Sequence, residues 1–272
     1  MQEHYRTLWI SDTHLGGKHA KSEELFQFLK KTDSDNLYLV GDIFDLWQLG
    51  KAWHWPEIND RIIAVILEKI ASGTRVVYLP GNHDAQFRRY CGTSINGISI
   101  CDEIIHETAD GGRYLVLHGD RFDPIVQKGK FLAHIGSLLY EFLLNLNHPY
   151  NALRRRFRGK STTSLSAQIK HRCKMAVNYI GSFETVLGAE VIKNRVDGVI
   201  CGHIHHASLH TIGDFLYGNA GDWVESCTAL AENHLGTIGI IDWATETLGT
   251  EVLHTSEHEK NRLGDRCLAP TN

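Results

Sequence analysis

The chain has 272 residues, a net charge of −4 and 42% hydrophobic residues. That length suits one large domain or a domain with an insertion. The apolar share excludes intrinsic disorder, and the mild negative charge speaks against a nucleic-acid coat protein. Six scattered cysteines form no CxxC pair, so they read as thiols of a reducing compartment.

The opening run MQEHYRTLWISDTHL has no charged-then-apolar leader, and no stretch reaches the roughly 18 apolar residues of a membrane span. The expected setting is the cytoplasm, with peripheral contact on the inner membrane left open. Residues 5–11 predict a buried strand, followed by an amphipathic helix over about 21–31 with Leu25, Phe28 and Leu29 on one face. Residues 36–40 predict a second strand, closed by Gly41. Pro56 marks a first helical turn, and Ile62, Ile63, Ile66, Leu67 and Ile70 make a helical stripe that ends at Gly73. Residues 74–79 predict a third strand. This strand–helix order implies a parallel sheet with helices on its faces.

Beyond residue 97 the pattern shifts to short strands at 98–101, 104–107 and 113–117. Residues 124–195 read as a mainly helical insertion, a cap within a single domain spanning 1–272. Strands return at 197–201, 207–212, 214–218, 235–241 and 247–254, and the tail from His258 is polar. The expected fold is an α/β sandwich of two mixed sheets flanked by helices.

Five short motifs follow one another along this frame: Asp12-x-His14, Gly41-Asp42-x-x-Asp45, Gly81-Asn82-His83-Asp84, His118-Gly119-Asp120 and Gly202-His203-x-His205. Four of them come directly after an apolar run, where a strand end can aim a side chain at one point. Any one alone is more often a structural loop than a ligand set. Burying all of these His and Asp side chains without cations would leave many polar groups unpaired. Two divalent cations about 3.5–4 Å apart need a bridging carboxylate, and Asp42 is the natural bridge. Asp12, His14 and His205 complete one site, and Asn82, His118 and His203 the other. A nitrogen and oxygen donor set without thiolates suits Mn2+, Fe2+ or Zn2+ better than Ca2+.

With these motifs the chain resembles the calcineurin-like metallophosphoesterase superfamily over Asp12 to His205. The resemblance implies a four-layer α/β/β/α sandwich and a dinuclear centre with Asp12, His14, Asp42 and His205 on one metal and Asp42, Asn82, His118 and His203 on the other. It also implies in-line attack of a metal-bridging hydroxide on phosphorus, with His83 as the catalytic histidine. His83 is expected to stabilise the phosphoryl oxygens and protonate the leaving oxygen. Asp84 either orients that imidazole or caps a helix over 85–90. Asp45 serves either the site or its own loop.

The cap candidate carries a wide apolar stripe over 131–146, and then Arg154, Arg155, Arg156, Arg158 and Lys160 as candidate substrate-binding residues. Such a pairing attracts an anionic lipid or membrane surface. It equally describes a packed helix followed by a solvated basic turn, and a third reading is an Arg clamp on a nucleotide or sugar phosphate. Trp47, Trp53, Trp55 and Trp223 line a pocket or belong to core and rim.

Ser11-Asp12-x-His14-Leu15, the Gly41-Asp42-Ile43-Phe44-Asp45 loop and the basic insertion after His118 look similar to the UDP-2,3-diacylglucosamine hydrolase branch. That branch splits UDP-diacylglucosamine into UMP and a lipid monophosphate in lipid A synthesis with Mn2+, under a helical lid. This chain departs from it in the sequence of the insertion and at His83, where many members carry Arg. The leading expectation is therefore a pyrophosphatase or phosphodiesterase acting on a nucleotide-linked glycolipid, or a paralogue with a changed substrate. The alternative is a phosphoesterase for a soluble nucleotide or phosphoprotein. A scaffold without catalysis ranks third, because no ligand position is lost.

Overall fold

The computed structural model of the protein describes residues 3–122 and 183–246. In its first strand, β1 (Glu3–Ile10), Leu8 and Ile10 face one way and Trp9 the other, and all three are buried. A strand buried on both faces must be apolar on both, so these runs do not alternate with polar residues. Leu8 and Ile10 pack with Leu25, Phe28 and Leu29 of α1 (Ser22–Lys31). β2 (Thr32–Val40) and the one-turn α2 (Leu46–Leu49) follow. Next comes α3 (Glu57–Ala71), whose Ile62, Val65 and Ile66 extend the same cluster. Pro56 sits at the N-cap of α3, where its missing N–H costs nothing.

The remaining strands are β3 (Arg75–Leu79), β4 (Thr93–Ile95), β5 (Ile98–Ile100), β6 (Glu103–Glu107), β7 (Arg113–Leu117), β8 (Gly198–Cys201), β9 (Ser208–Ile212), β10 (Phe215–Asn219), β11 (Thr228–Glu232) and β12 (Ile238–Asp242). They form two mixed sheets, in the orders β12-β11-β1-β2-β3-β5-β4 and β6-β7-β8-β10-β9. β1, β2, β3 and β5 run parallel, as do β7, β8 and β10. Trp9, Tyr38, Val40, Val77 and Leu79 of the first sheet meet Val116, Ile200 and Leu216 of the second in a separate apolar layer. Residues 183–194 are helical, and from Leu187 onward they cover the second sheet. Gly188 sits so close to β10 that a Cβ there would lie 2.9 Å from the Phe215 ring. The expected α/β sandwich of two mixed sheets with helices outside is what the described residues form.

Three strands show where the fold differs most from the sequence expectation. β11 was not foreseen, because TALAE offers little branched or aromatic signal. Its small side chains let it lie antiparallel against β1, and every residue is buried. β4 is three exposed residues and is likewise silent in sequence. The last described strand covers Ile238–Asp242 rather than 235–241, because Asn233 and Gly236 form a turn first. The chain divides into two units, Met1–Gly119 with Leu187–Asn272, and Asp120–Val186. Most of the expected insertion, the basic cluster from Arg154 to Lys160 and the strand expected at 247–254 lie outside the described residues. Among the described residues no helix is long and apolar enough to cross a membrane.

Candidate metal centre

Because β1, β2 and β3 are parallel neighbours, their following loops emerge at one edge. The loops after β1 and β2 are zipped together by backbone hydrogen bonds. Asp12 N–H donates to Gly41 O (3.0 Å), His14 N–H to Asp42 O (2.9 Å) and Leu15 N–H to Ile43 O (2.8 Å). The loop after β8 joins them, with His203 N–H donating to Asp12 Oδ2 at 2.8 Å. Asp12, His14, Asp42, His203 and His205 all adopt left-handed backbone conformations, with φ of 51°, 48°, 53°, 74° and 51°. Such geometry costs about 1–3 kcal/mol per residue unless the surroundings enforce it, and it clusters at functional sites. Here the enforcement is the loop-to-loop hydrogen bonding.

The expected ligands fall into two groups, beside a third cluster of His14, Asp45 and His83. Asp12, His14 and His205 bring ligand atoms within 4.8 Å of one another, and so do Asp42, His118 and His203. In the first group His205 Nε2 lies 3.2 Å from both Asp12 Oδ1 and His14 Nε2. In the second, His118 donates from Nδ1 to Val40 O at 2.8 Å, which fixes the tautomer and turns Nε2 toward Asp42 Oδ2 at 3.5 Å. Asp42 Oδ2 is also 3.9 Å from His14 Nε2. One carboxylate oxygen thus faces an imidazole of each group. Asn82 turns a buried Oδ1 that accepts no hydrogen bond.

Glycines make room for this convergence. Gly41 has φ of +77°, and a Cβ there would lie 2.3 Å from the His118 ring. At Gly81 it would lie 2.3 Å from Asp42 Oδ1, and at Gly202 2.5 Å from Asp12 Oδ2. No side chain larger than hydrogen fits at these positions. Two further side chains brace these loops, in roles the sequence did not assign to them. Ser11 Oγ donates to Asp12 Oδ2 at 2.6 Å, and Asn219 Nδ2 donates to Gly202 O at 2.7 Å. Only their places beside a motif and at a strand end could have signalled them.

His83 and Asp84 have separate jobs. The His83 ring donates from Nδ1 to Asp45 Oδ1 at 3.0 Å. Asp84 instead accepts the amides of Gly81 (2.6 Å), Asp42 (3.3 Å), Ile43 (2.8 Å) and Phe44 (3.2 Å). It makes no side-chain cap to the 3-10 turn Ala85–Tyr90. Asp84 thus stands at the N-cap position expected of it, with its backbone carbonyl accepting Phe87 N–H, but its carboxylate ties the two ligand loops together, and Asp45 is the partner of the imidazole. Asp45 also caps α2 by accepting Gln48 N–H at 3.0 Å, so it serves both the site and its loop. Trp223 is fully buried core, whereas Trp47 lies against His83. A cleft of about 380 Å³ opens here, lined by His14, Lys18, Asp45, Gln48, His83 and His205 among others.

Electrostatics prepares the donors. Burial pushes the Asp12 carboxyl up, but the His205 hydrogen bond and the charges of His118 and His205 outweigh it and hold it below its ordinary value. Asp42 likewise resists the upward push of burial, because His118, His83 and His14 hold it well below the usual range. Burial lowers His14 and keeps it neutral, whereas the bond and charge of Asp12 raise His205 against the pull of burial. Ionised carboxylates, a neutral His14 and a bare amide oxygen are already in the forms that bind divalent cations, whereas His205 gives up its proton when an ion takes its place beside Asp12. The donor set therefore fits a pair of such ions.

The family model for calcineurin-like phosphoesterases matches residues 5–207. UDP-2,3-diacylglucosamine hydrolase from Psychromonas ingrahamii is 27% identical over 231 residues, covering 80% of this chain and 89% of the relative. The enzyme of the same name from Shewanella oneidensis is 24% identical over 234 residues, covering 83% and 93%. Among solved structures, vacuolar protein sorting 29 from Cryptosporidium parvum matches with a TM-score of 0.41 and 13% identity, covering 87% of this chain and 90% of that one. An archaeal phosphodiesterase matches with a TM-score of 0.39 and 15% identity, covering 91% and 99%. With the family model spanning most of its length, the chain belongs to the calcineurin-like phosphoesterases and is a metal-dependent phosphoesterase of that dinuclear family.

Proposed function

We propose that the chain hydrolyses the diphosphate bond of a nucleotide-linked glycolipid, UDP-2,3-diacylglucosamine or a close analogue, releasing UMP and a lipid monophosphate. The observation that carries the chemistry is Asp42 Oδ2, which faces His14 of one donor group and His118 of the other. The substrate class rests on the named relatives, which match most of the chain at modest identity.

In this reading Asp12, His14, Asp42 and His205 hold one Mn2+, and Asp42, Asn82, His118 and His203 hold a second. When bound, such a pair supplies Lewis acidity at the phosphoryl oxygens and an acidified water. The residues of the chain do the rest. His14, His118 and Asp12 fix the donor geometry through the strand-end loops. Asp45 accepts the Nδ1 proton of His83, and in the imidazolium form Nε2 carries the second proton, which passes to the departing oxygen and leaves the ring neutral. Arg154, Arg155, Arg156, Arg158 and Lys160 are proposed from sequence alone to meet the anionic substrate, with the protein working at the cytoplasmic face of the inner membrane.

The His83–Asp45 pair favours a second reading, hydrolysis of a soluble phosphodiester, because it supplies an acid that a branch member with Arg at this place lacks. One experiment separates the two. The full chain with Mn2+ is given UDP-2,3-diacylglucosamine in mixed micelles and, separately, soluble nucleotide diesters. Release of UMP from the lipid at a far higher kcat/KM supports the glycolipid. Turnover confined to soluble diesters overturns it.

A further inference from the structure

The indole of Trp47 lies face to face with the His83 imidazole, with ring centroids 3.9 Å apart and planes 26° from parallel. Trp47 is 47% exposed, so burial in a core does not explain its place. It sits on α2, the single turn whose N-cap is Asp45. Hence one short element supplies both the acceptor for His83 Nδ1 and the surface under its ring. That element is itself anchored, because Gly16 approaches so closely that a Cβ there would lie 2.7 Å from Leu49. His14 closes a third side, edge-on to His83 with centroids 4.6 Å apart and planes at 87°.

We infer that Trp47 is a positioning residue of the hydrolytic reaction. Asp45 fixes where Nδ1 sits, but a single hydrogen bond leaves the ring free to swing about it. The indole face blocks that swing and keeps Nε2 directed at the departing oxygen. Misplacing a proton donor by about an ångström is enough to cost much of its contribution. The inference rests on the reading of His83 as the proton donor.

The test uses the full chain loaded with Mn2+, with Trp47→Leu, Trp47→Met, Trp47→Phe and His83→Ala. Two diesters are compared: bis(p-nitrophenyl) phosphate, whose leaving group hardly needs a proton, and diphenyl phosphate, whose leaving group does. Trp47→Leu and Trp47→Met are expected to lower kcat on diphenyl phosphate about tenfold. KM, bound Mn2+ and kcat on bis(p-nitrophenyl) phosphate are expected to stay within about twofold. Trp47→Phe, which keeps a flat ring, restores most of the loss. In metal-free protein the ring protons of His83 should also lose an upfield ring-current shift when Trp47 is Leu.

If both aliphatic variants keep the wild-type ratio of the two rates while His83→Ala loses it, Trp47 does not position the imidazole. An equal loss on both substrates, or a loss in KM alone, also overturns the inference and makes Trp47 a support for fold or substrate. If His83→Ala itself keeps the ratio, the proton-donor reading fails first and takes the inference with it.

Discussion

His83 Nδ1 lies 3.0 Å from Asp45 Oδ1, although the two residues come from the loops after different strands. The register that lays β2 parallel to β3 makes this meeting possible. Asp45→Asn removes the charge that holds the Nδ1 proton. The expected result is a fall in kcat of about 10²-fold on a substrate with a poor leaving group, with bound metal unchanged by elemental analysis. His83→Ala should fall at least as far, and the double variant no further than His83→Ala alone, since two groups acting as one unit are not additive.

Asp42 faces both donor groups and also accepts His83 N–H at 2.7 Å. Asp42→Ala is therefore expected to lose both metal ions, where His205→Ala weakens one. Counting Mn2+ per chain after dialysis checks this. Two tightly held ions in Asp42→Ala would refute the bridging position.

Asp84 is fully buried and accepts four backbone amides. Burial and the nearby Asp42 charge push its carboxyl up, yet the amide bonds keep it in place as an acceptor. Asp84→Ala strands buried N–H groups and is expected to cost roughly 3 kcal/mol or more of stability. Urea unfolding of the metal-free variant measures that loss. A variant of normal stability with impaired turnover would instead make Asp84 a catalytic group.

Away from the metal centre, Glu232 is fully buried and accepts from Arg6 (2.7 Å), Thr7 (2.7 Å), His106 (2.9 Å) and the Ala109 amide (2.8 Å). Burial alone would raise its carboxyl, but the bonds from His106, Thr7, Ala109 and Arg6 hold it below the ordinary 4.5. A carboxylate depressed in the folded state adds stability that is complete above its unfolded value and fades as pH falls through its folded one. Stability is thus expected to drop below about pH 4.5. Glu232→Gln should lose about 3 kcal/mol at pH 7 and show a shallower decline in acid. Denaturant midpoints at pH 7 and pH 4 test both points.

The donor residues could be read from the chain because four of the five motifs directly follow an apolar run, and a strand end can aim a short motif at one point. Asp12, His14, Asp42, Asn82, His118, His203 and His205 were named on that basis, and the parallel strands of each sheet, with the hydrogen bonds that cross between the sheets, bring their loops together. The two mixed sheets were legible for the same reason, since strands buried on both faces spell continuous Val, Ile and Leu. What the sequence could not decide was who partners whom across long separations. Asp84 adjoins His83 in the chain but turns to the amides of Asp42, Ile43 and Phe44, while Asp45, 38 residues away, takes the imidazole. β11 stayed hidden because Ala and Glu carry little strand signal until β1 supplies the surface they pack on. Composition and period report what a segment wants to bury, whereas side-chain partnership depends on which backbone edges meet, and only the folded chain settles that.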